Sequence, residues 1–72
     1  MTTEKKIEIL ADLFDVDPSE IKPDMDLESF DEWNSLSKLS LIVVMDDELN
    51  KKLTGEQILK FHTMQDILDF MD

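Results

Sequence analysis

Residues 34–49 constrain the fold most, because they predict a single helix that is apolar on two sides. The side-chain oxygen of Asn34 is well suited to accept hydrogen bonds from the unpaired N–H groups of a first helical turn. We therefore expect a helix from Ser35 to Leu49. At roughly 100° per residue its apolar residues form two stripes. The larger stripe comprises Leu41, Ile42, Met45 and Leu49, and the smaller comprises Leu36, Leu39 and Val43.

A chain of 72 residues cannot easily bury both stripes. The core of so short a chain supplies a net stability of only about 3–5 kcal/mol, because its ratio of surface to volume is high. We expect the larger stripe to enter the core and the smaller one to stay at least partly exposed. The alternative is that the long loop before this helix covers the smaller stripe.

Ser35 is predicted to occupy the first position inside this helix. A hydroxyl at that position lies at the surface, near the positive end of the helix dipole and beside free N–H donors. These surroundings favour an attached phosphate. The residues themselves therefore suggest that Ser35 is phosphorylated or linked through a phosphodiester.

The first helix is predicted to span about Thr3–Phe14, with Thr2 or Thr3 as its cap. It should end near Asp15, since Pro18 disfavours helical geometry in the residue before it. Its apolar face comprises Ile7, Leu10, Ala11 and Phe14, and we expect Glu4, Lys5, Lys6 and Glu8 to cover the other side. Between residues 16 and 33 we expect a long loop anchored in the core by Ile21, Met25, Leu27, Phe30 and Trp33.

Two capping boxes predict two further helices. Thr54 and Gln57 open a short element that ends near Phe61. Thr63 opens a final amphipathic helix whose apolar residues are Met64, Ile67, Leu68 and Met71. The expected fold is all-α: a small four-helix bundle of three main helices and one short helix, formed by residues 1–72 as a single domain.

The composition favours a protein partner. Eighteen acidic and seven basic residues give a net charge of -11, which repels nucleic acid and anionic lipid and attracts basic protein surfaces. The absence of cysteine excludes disulfides and thiolate metal sites. No apolar run approaches the ~20 residues of a membrane span, and the N-terminus lacks the pattern of an export signal. We therefore expect a cytoplasmic monomer.

Two other chemistries receive little support from the sequence. A hydrolytic serine needs a nearby base, and we interpret His62, the sole histidine, as an ordinary loop residue. A calcium loop starting at Asp24 would have Ser29 where glycine is required and Ser35 where glutamate is required. We therefore predict no catalytic residues and no metal site.

The order of these features resembles the acyl and peptidyl carrier proteins over essentially the whole chain. The resemblance rests on Asn34-Ser35-Leu36 near mid-chain, then a helix with an acidic end, a short helix and a final helix opened by threonine. It implies that Ser35 accepts a 4′-phosphopantetheine arm from coenzyme A through a phosphopantetheinyl transferase. The thiol of that arm would hold acyl or aminoacyl groups as thioesters, while partner enzymes perform the catalysis.

The resemblance also implies that loading and transferring enzymes with basic patches dock on the second helix. The docking residues would be Asn34, Leu36, Leu39, Val43, Asp46, Asp47 and Glu48. Three departures from the family pattern, Asn34 in place of aspartate, Asp31-Glu32-Trp33 before it and Lys38 after it, suggest a specialised carrier. The resemblance allows three kinds of cargo: a fatty acyl group, an aminoacyl group or an intermediate of secondary metabolism. The alternative is a helical adaptor, descended from carriers, that binds a protein partner without an arm.

Overall fold

The computed structural model describes residues 2–72, and four α-helices form its framework. They are α1 (Thr3–Phe14), α2 (Ser35–Leu49), α3 (Gly55–Leu59) and α4 (Met64–Phe70). The loop between α1 and α2 contains two 3-10 turns, Pro18–Glu20 and Leu27–Ser29. The predicted all-α bundle of three main helices and one short helix is confirmed.

Local chemistry sets the ends of the helices. The Thr2 hydroxyl accepts a hydrogen bond from the backbone N–H of Lys5 at 3.1 Å, so Thr2 is the cap of α1. Asp15 and Asn50 end α1 and α2 in the left-handed conformation, with φ of 59° and 54°. Asparagine tolerates this conformation better than most residues, because its side chain can hydrogen-bond locally. The predicted bounds of α1 and α2 agree with those in the structure.

The core lies between the helices and beneath the long loop. Its fully buried large side chains come from α1, the loop, α2 and α4: Leu10, Leu27, Leu41, Met45, Met64 and Ile67. Leu41 and Met45 belong to the larger stripe of α2, as predicted. The other two residues of that stripe, Ile42 and Leu49, are half-buried against the same core.

The long loop is anchored as expected and also completes the start of α4. Ile21 and Leu27 are buried, while Met25, Phe30 and Trp33 pack against the core. The backbone N–H groups of Met64 and Gln65 donate to the carbonyl oxygens of Met25 and Pro23, at 3.0 and 2.8 Å. Since the first N–H groups of a helix have no partner within it, the loop satisfies donors that α4 would otherwise leave unpaired.

Aromatic side chains fasten the end of the loop to α1. The ring of Phe14 meets that of Phe30 edge-to-face, with 5.1 Å between the ring centroids. Phe14 also meets Trp33 at 6.2 Å. Such pairs add to the stabilisation that burial alone provides. They hold Trp33, and hence the start of α2, against α1.

The position of Lys6 differs from the prediction. This residue was expected on the polar side of α1, but it is buried, with 5 % of its surface exposed. Its Nζ donates to the carbonyl oxygen of Leu68 at 3.1 Å and pairs with the carboxylate of Asp72. The hydrogen bond from Lys6 lowers the pKa of Asp72. The aliphatic stem of a lysine can pack on apolar neighbours while its ammonium reaches polar groups, so Lys6 links α1 to the end of α4.

Two leucines on α2 provide a matched test of which stripe carries the fold. Leu41 is fully buried and Leu39 is 60 % exposed. Truncating a buried leucine to alanine costs about 2–5 kcal/mol, so Leu41→Ala should leave the chain largely unfolded at room temperature. Leu39→Ala should change the free energy of unfolding by less than about 0.5 kcal/mol.

Circular dichroism without denaturant measures the loss of helix in Leu41→Ala, and urea unfolding measures the stability of Leu39→Ala against the wild type. Equal losses of stability in the two variants would contradict the assignment of the core stripe.

Candidate functional site

The N-terminus of α2 is held by a reciprocal pair of side chains. The Asn34 side-chain oxygen accepts from the backbone N–H of Ser37 at 3.0 Å, and the Ser37 hydroxyl oxygen accepts from the backbone N–H of Asn34 at 3.0 Å. The Ser37 hydroxyl also donates to the carbonyl oxygen of Glu32 at 2.5 Å. The predicted cap by Asn34 is confirmed, and these bonds determine where α2 begins.

The part that Ser37 plays in the cap of α2 was not predicted from the sequence. Capping boxes are recognised by glutamate or glutamine three residues after the cap, and Ser37 has a shorter side chain. It is buried, with 8 % of its surface exposed, because its hydroxyl turns back toward the residues before the helix. The one sign of this role in the sequence is that a polar residue occupies the third position of the helix.

Ser35, next to this cap, presents its hydroxyl to solvent. Ser35 is exposed, and its hydroxyl forms no hydrogen bond within residues 2–72. The hydroxyls of Ser19 and Ser29 donate to the carboxylates of Asp17 and Asp26, at 2.8 and 3.4 Å. A phosphodiester on Ser35 would therefore need no rearrangement of existing bonds, and the position fits the group that the sequence implies.

An apolar groove begins beside Ser35 and runs between α2 and α3. Its volume is about 380 Å³. Its lining includes Ser35 and Lys38 from the first turns of α2, and the remainder comes from Leu39, Ile42, Gly55, Ile58 and Leu59. An elongated group attached to the Ser35 hydroxyl would therefore have an apolar surface within reach.

The smaller stripe of α2 is exposed, so the alternative that the loop covers it is wrong. The exposed fractions of Leu36, Leu39 and Val43 are 76 %, 60 % and 54 %. The anchors of the loop enter the core instead. These three residues surround a shallow apolar depression together with Ser40 and Val44.

Leu59 on α3 extends this apolar surface and was missed in the sequence. It is 76 % exposed and lines the groove that also contains Leu39. A helix of five residues is too short to define a face by periodicity, so its neighbour Ile58 was the apolar residue that the pattern singled out. The one sign of this exposed surface in the sequence is that Leu59, an apolar residue, directly follows the predicted core residue Ile58.

The C-terminal end of α2 is acidic. Asp46, Asp47 and Glu48 are all exposed, and none of them forms an ion pair with the described residues. Asp46 also lines a small groove with Val43 and Ile42. With the exposed Leu36, Leu39 and Val43, the three acidic residues combine apolar surface and unpaired charge on one helix.

The other residues considered for catalysis or metal binding form hydrogen bonds that hold the fold together. The backbone carbonyl of His62 accepts a hydrogen bond from the N–H of Leu27 at 2.9 Å. The backbone N–H of His62 donates to the Asp66 carboxylate at 2.8 Å. Hydrogen bonds from His62 and Thr63 lower the pKa of Asp66. Asp26 accepts from the N–H of Glu28 at 3.2 Å, which caps a 3-10 turn. These residues organise the loop and the start of α4.

Comparison with known proteins identifies the family. Residues 7–71 match the family described as the phosphopantetheine attachment site. The chain belongs to this family of carrier proteins. Membership implies a covalently attached 4′-phosphopantetheine. Carriers of this family interact with modifying and acyl-handling enzymes and are in general not catalysts themselves.

Two relatives of this carrier are acyl carrier proteins. One, from Thermosynechococcus vestitus, is 32 % identical over 69 residues, which cover 96 % of this chain and 85 % of the relative. The other, from Micrococcus luteus, is 28 % identical over 74 aligned positions, which cover 93 % of this chain and 91 % of the relative. None of the carrier's helices within residues 2–72 is long and apolar enough to cross a bilayer.

Substitutions of Asn34 test the cap. Asn34→Ala should lower the free energy of unfolding by about 1 kcal/mol, because the N–H of Ser37 loses its acceptor. Asn34→Asp retains an acceptor and adds a favourable charge at the helix N-terminus, so it should leave stability unchanged or raise it by a few tenths of a kcal/mol. Urea unfolding followed by circular dichroism measures both. Equal destabilisation by the two variants would show that the side-chain oxygen does not act as the cap.

Proposed function

We propose that this chain is an acyl carrier protein that bears its 4′-phosphopantetheine arm on Ser35 and has no catalytic activity of its own. The observation that carries the proposal is the free, exposed hydroxyl of Ser35 at the first position of α2, within a chain of the phosphopantetheine family. When bound, the arm supplies a terminal thiol that holds acyl groups as thioesters. That thiol would provide the sulfhydryl group that the cysteine-free chain lacks.

Ser35 would act as the nucleophile when the arm is attached. Its hydroxyl oxygen forms a bond to the phosphorus next to pantetheine in coenzyme A, and the bond from that phosphorus to the adenosine bisphosphate breaks. No side chain within residues 2–72 hydrogen-bonds the Ser35 hydroxyl, so a base on the transferase must take its proton. This requirement agrees with a carrier that partner enzymes act upon.

We call Leu36, Leu39, Val43, Asp46, Asp47 and Glu48 the docking patch, and it would bring those enzymes to Ser35. Leu36, Leu39 and Val43 offer apolar contacts close to the serine. Asp46 lies about 16 Å farther along the axis of α2, at 1.5 Å per residue. A partner would therefore place basic residues over the C-terminal end of α2 while its active-site entrance lies over Ser35. Cytoplasmic enzymes of acyl metabolism fit this role.

Intact mass measurement tests the attachment residue. After incubation with coenzyme A and a broad-specificity phosphopantetheinyl transferase, the wild-type chain should gain the mass of one phosphopantetheinyl group. Ser35→Ala should gain none, and Ser29→Ala should behave as the wild type does. An unmodified wild type that binds a partner tightly would favour the adaptor without an arm, and an undiminished gain on Ser35→Ala would exclude Ser35.

Charge removal tests the docking patch. Replacing Asp46, Asp47 and Glu48 by Asn, Asn and Gln should slow modification about tenfold at low salt, because electrostatic attraction accelerates encounter with a basic enzyme. The matched control is Glu4→Gln, Glu8→Gln, Asp12→Asn, which changes the same charge on exposed residues of α1. The rate of mass gain measures both variants, and the difference should shrink as salt screens the charges. Equal slowing in the two variants would show that the rate depends on the net charge of the protein and not on where the acidic residues lie.

A further inference from the structure

Lys38 lies one helical turn beyond Ser35 and has no acidic partner. Its Nζ lies 5.3 Å from the centroid of the Trp33 ring, a cation–π contact. The chain carries 18 acidic residues, yet Lys38 forms no ion pair with any of the described ones. Its ammonium charge is therefore available to a group that arrives later.

The geometry of the helix brings Lys38 and Ser35 together. Residues three apart on a helix are neighbours on its surface, with roughly 5–6 Å between their Cβ atoms. Both residues line the groove between α2 and α3. A lysine side chain is long enough to move from the Trp33 ring to a group attached to the Ser35 hydroxyl.

The local charge also favours such a contact. Asn34 is uncharged, and the first turn of α2 carries no acidic residue. The acidic residues of α2 lie at the other end of the helix. Attachment of a phosphodiester adds one negative charge beside Lys38, and a charge-assisted hydrogen bond from ammonium to phosphate is stronger than an exposed contact with an aromatic ring.

We propose that the Lys38 ammonium leaves the Trp33 ring and pairs with the phosphate of the arm once Ser35 is modified, and so positions the arm at the mouth of the α2–α3 groove. Lys38 is thus a positioning residue and does not take part in the transfer of the acyl group. The inference rests on the proposed function of Ser35. The partner that recognises the modified serine then meets a phosphate whose charge is already neutralised.

Trp33 gives this proposal a direct readout, because it is the only tryptophan in the chain. Removing the ammonium from its ring should change the intensity and wavelength of its fluorescence. Ser35→Glu places a negative charge beside Lys38 without any transferase, so it tests the movement of Lys38 even if no arm can be attached. We expect this substitution to change the emission of Trp33 at low salt.

A double-mutant cycle separates pairing from the direct effects of each substitution. The emission change caused by Ser35→Glu should disappear in a Lys38→Met background and persist in Lys38→Arg. It should also persist in Lys22→Met, which removes the same charge from an exposed loop residue. At 1 M salt, where the Debye length is about 3 Å, the change should diminish. An emission change that is the same with and without Lys38 would overturn the proposal.

The modified protein completes the test. Once intact mass shows the arm on Ser35, the phosphorus NMR resonance of the phosphodiester should shift when Lys38 is replaced by Met and stay unchanged for Lys22→Met. An unshifted resonance would overturn the pairing with phosphate. Failure of the wild-type chain to gain mass would instead count against the proposed function, while the Ser35→Glu cycle would still decide the behaviour of Lys38.

Discussion

The reciprocal hydrogen bonds between Asn34 and Ser37 are the interaction on which the exposed face of α2 depends. They determine the residue at which α2 begins, and the bond from Ser37 to the carbonyl of Glu32 holds the preceding turn against the helix. With the helix start set in this way, Ser35 faces solvent. If α2 began one residue later, every side chain of the helix would be rotated by roughly 100° relative to the loop that precedes it.

A second constraint acts through the size of the chain. The 15 residues of α2 carry more apolar surface than the rest of the protein covers. Leu41 and Met45 are fully buried, whereas Leu36, two residues after the cap, is 76 % exposed. Leaving leucine in water forgoes the stabilisation of burial, and an exposed apolar surface of this kind is typical of a binding site. The surface that weakens the fold is therefore the one that we propose as the docking site for partner enzymes.

Much of this arrangement could be predicted because it follows from local rules. The Asn34 cap, the threonine cap of α3 and the two stripes of α2 depend on residues within one or two turns of each other. Lys6 was assigned wrongly because its partners, Leu68 and Asp72, are distant in sequence. Leu59 was missed because its exposure depends on how α3 packs beside α2. The family match over residues 7–71 agrees with the carrier resemblance that the local pattern suggested.

The sequence by itself determined the order and bounds of the main helices, the acidic charge and the serine that follows a helix cap. These properties arise from capping, periodicity and composition, which act over short distances or over the whole chain. Only the tertiary structure decided that the long loop leaves the smaller stripe of α2 uncovered, that a groove opens beside Ser35, and that Lys38 rests on Trp33. Each of these depends on how the loop and α3 pack against α2, and such packing is selected by competition among distant contacts for one small core.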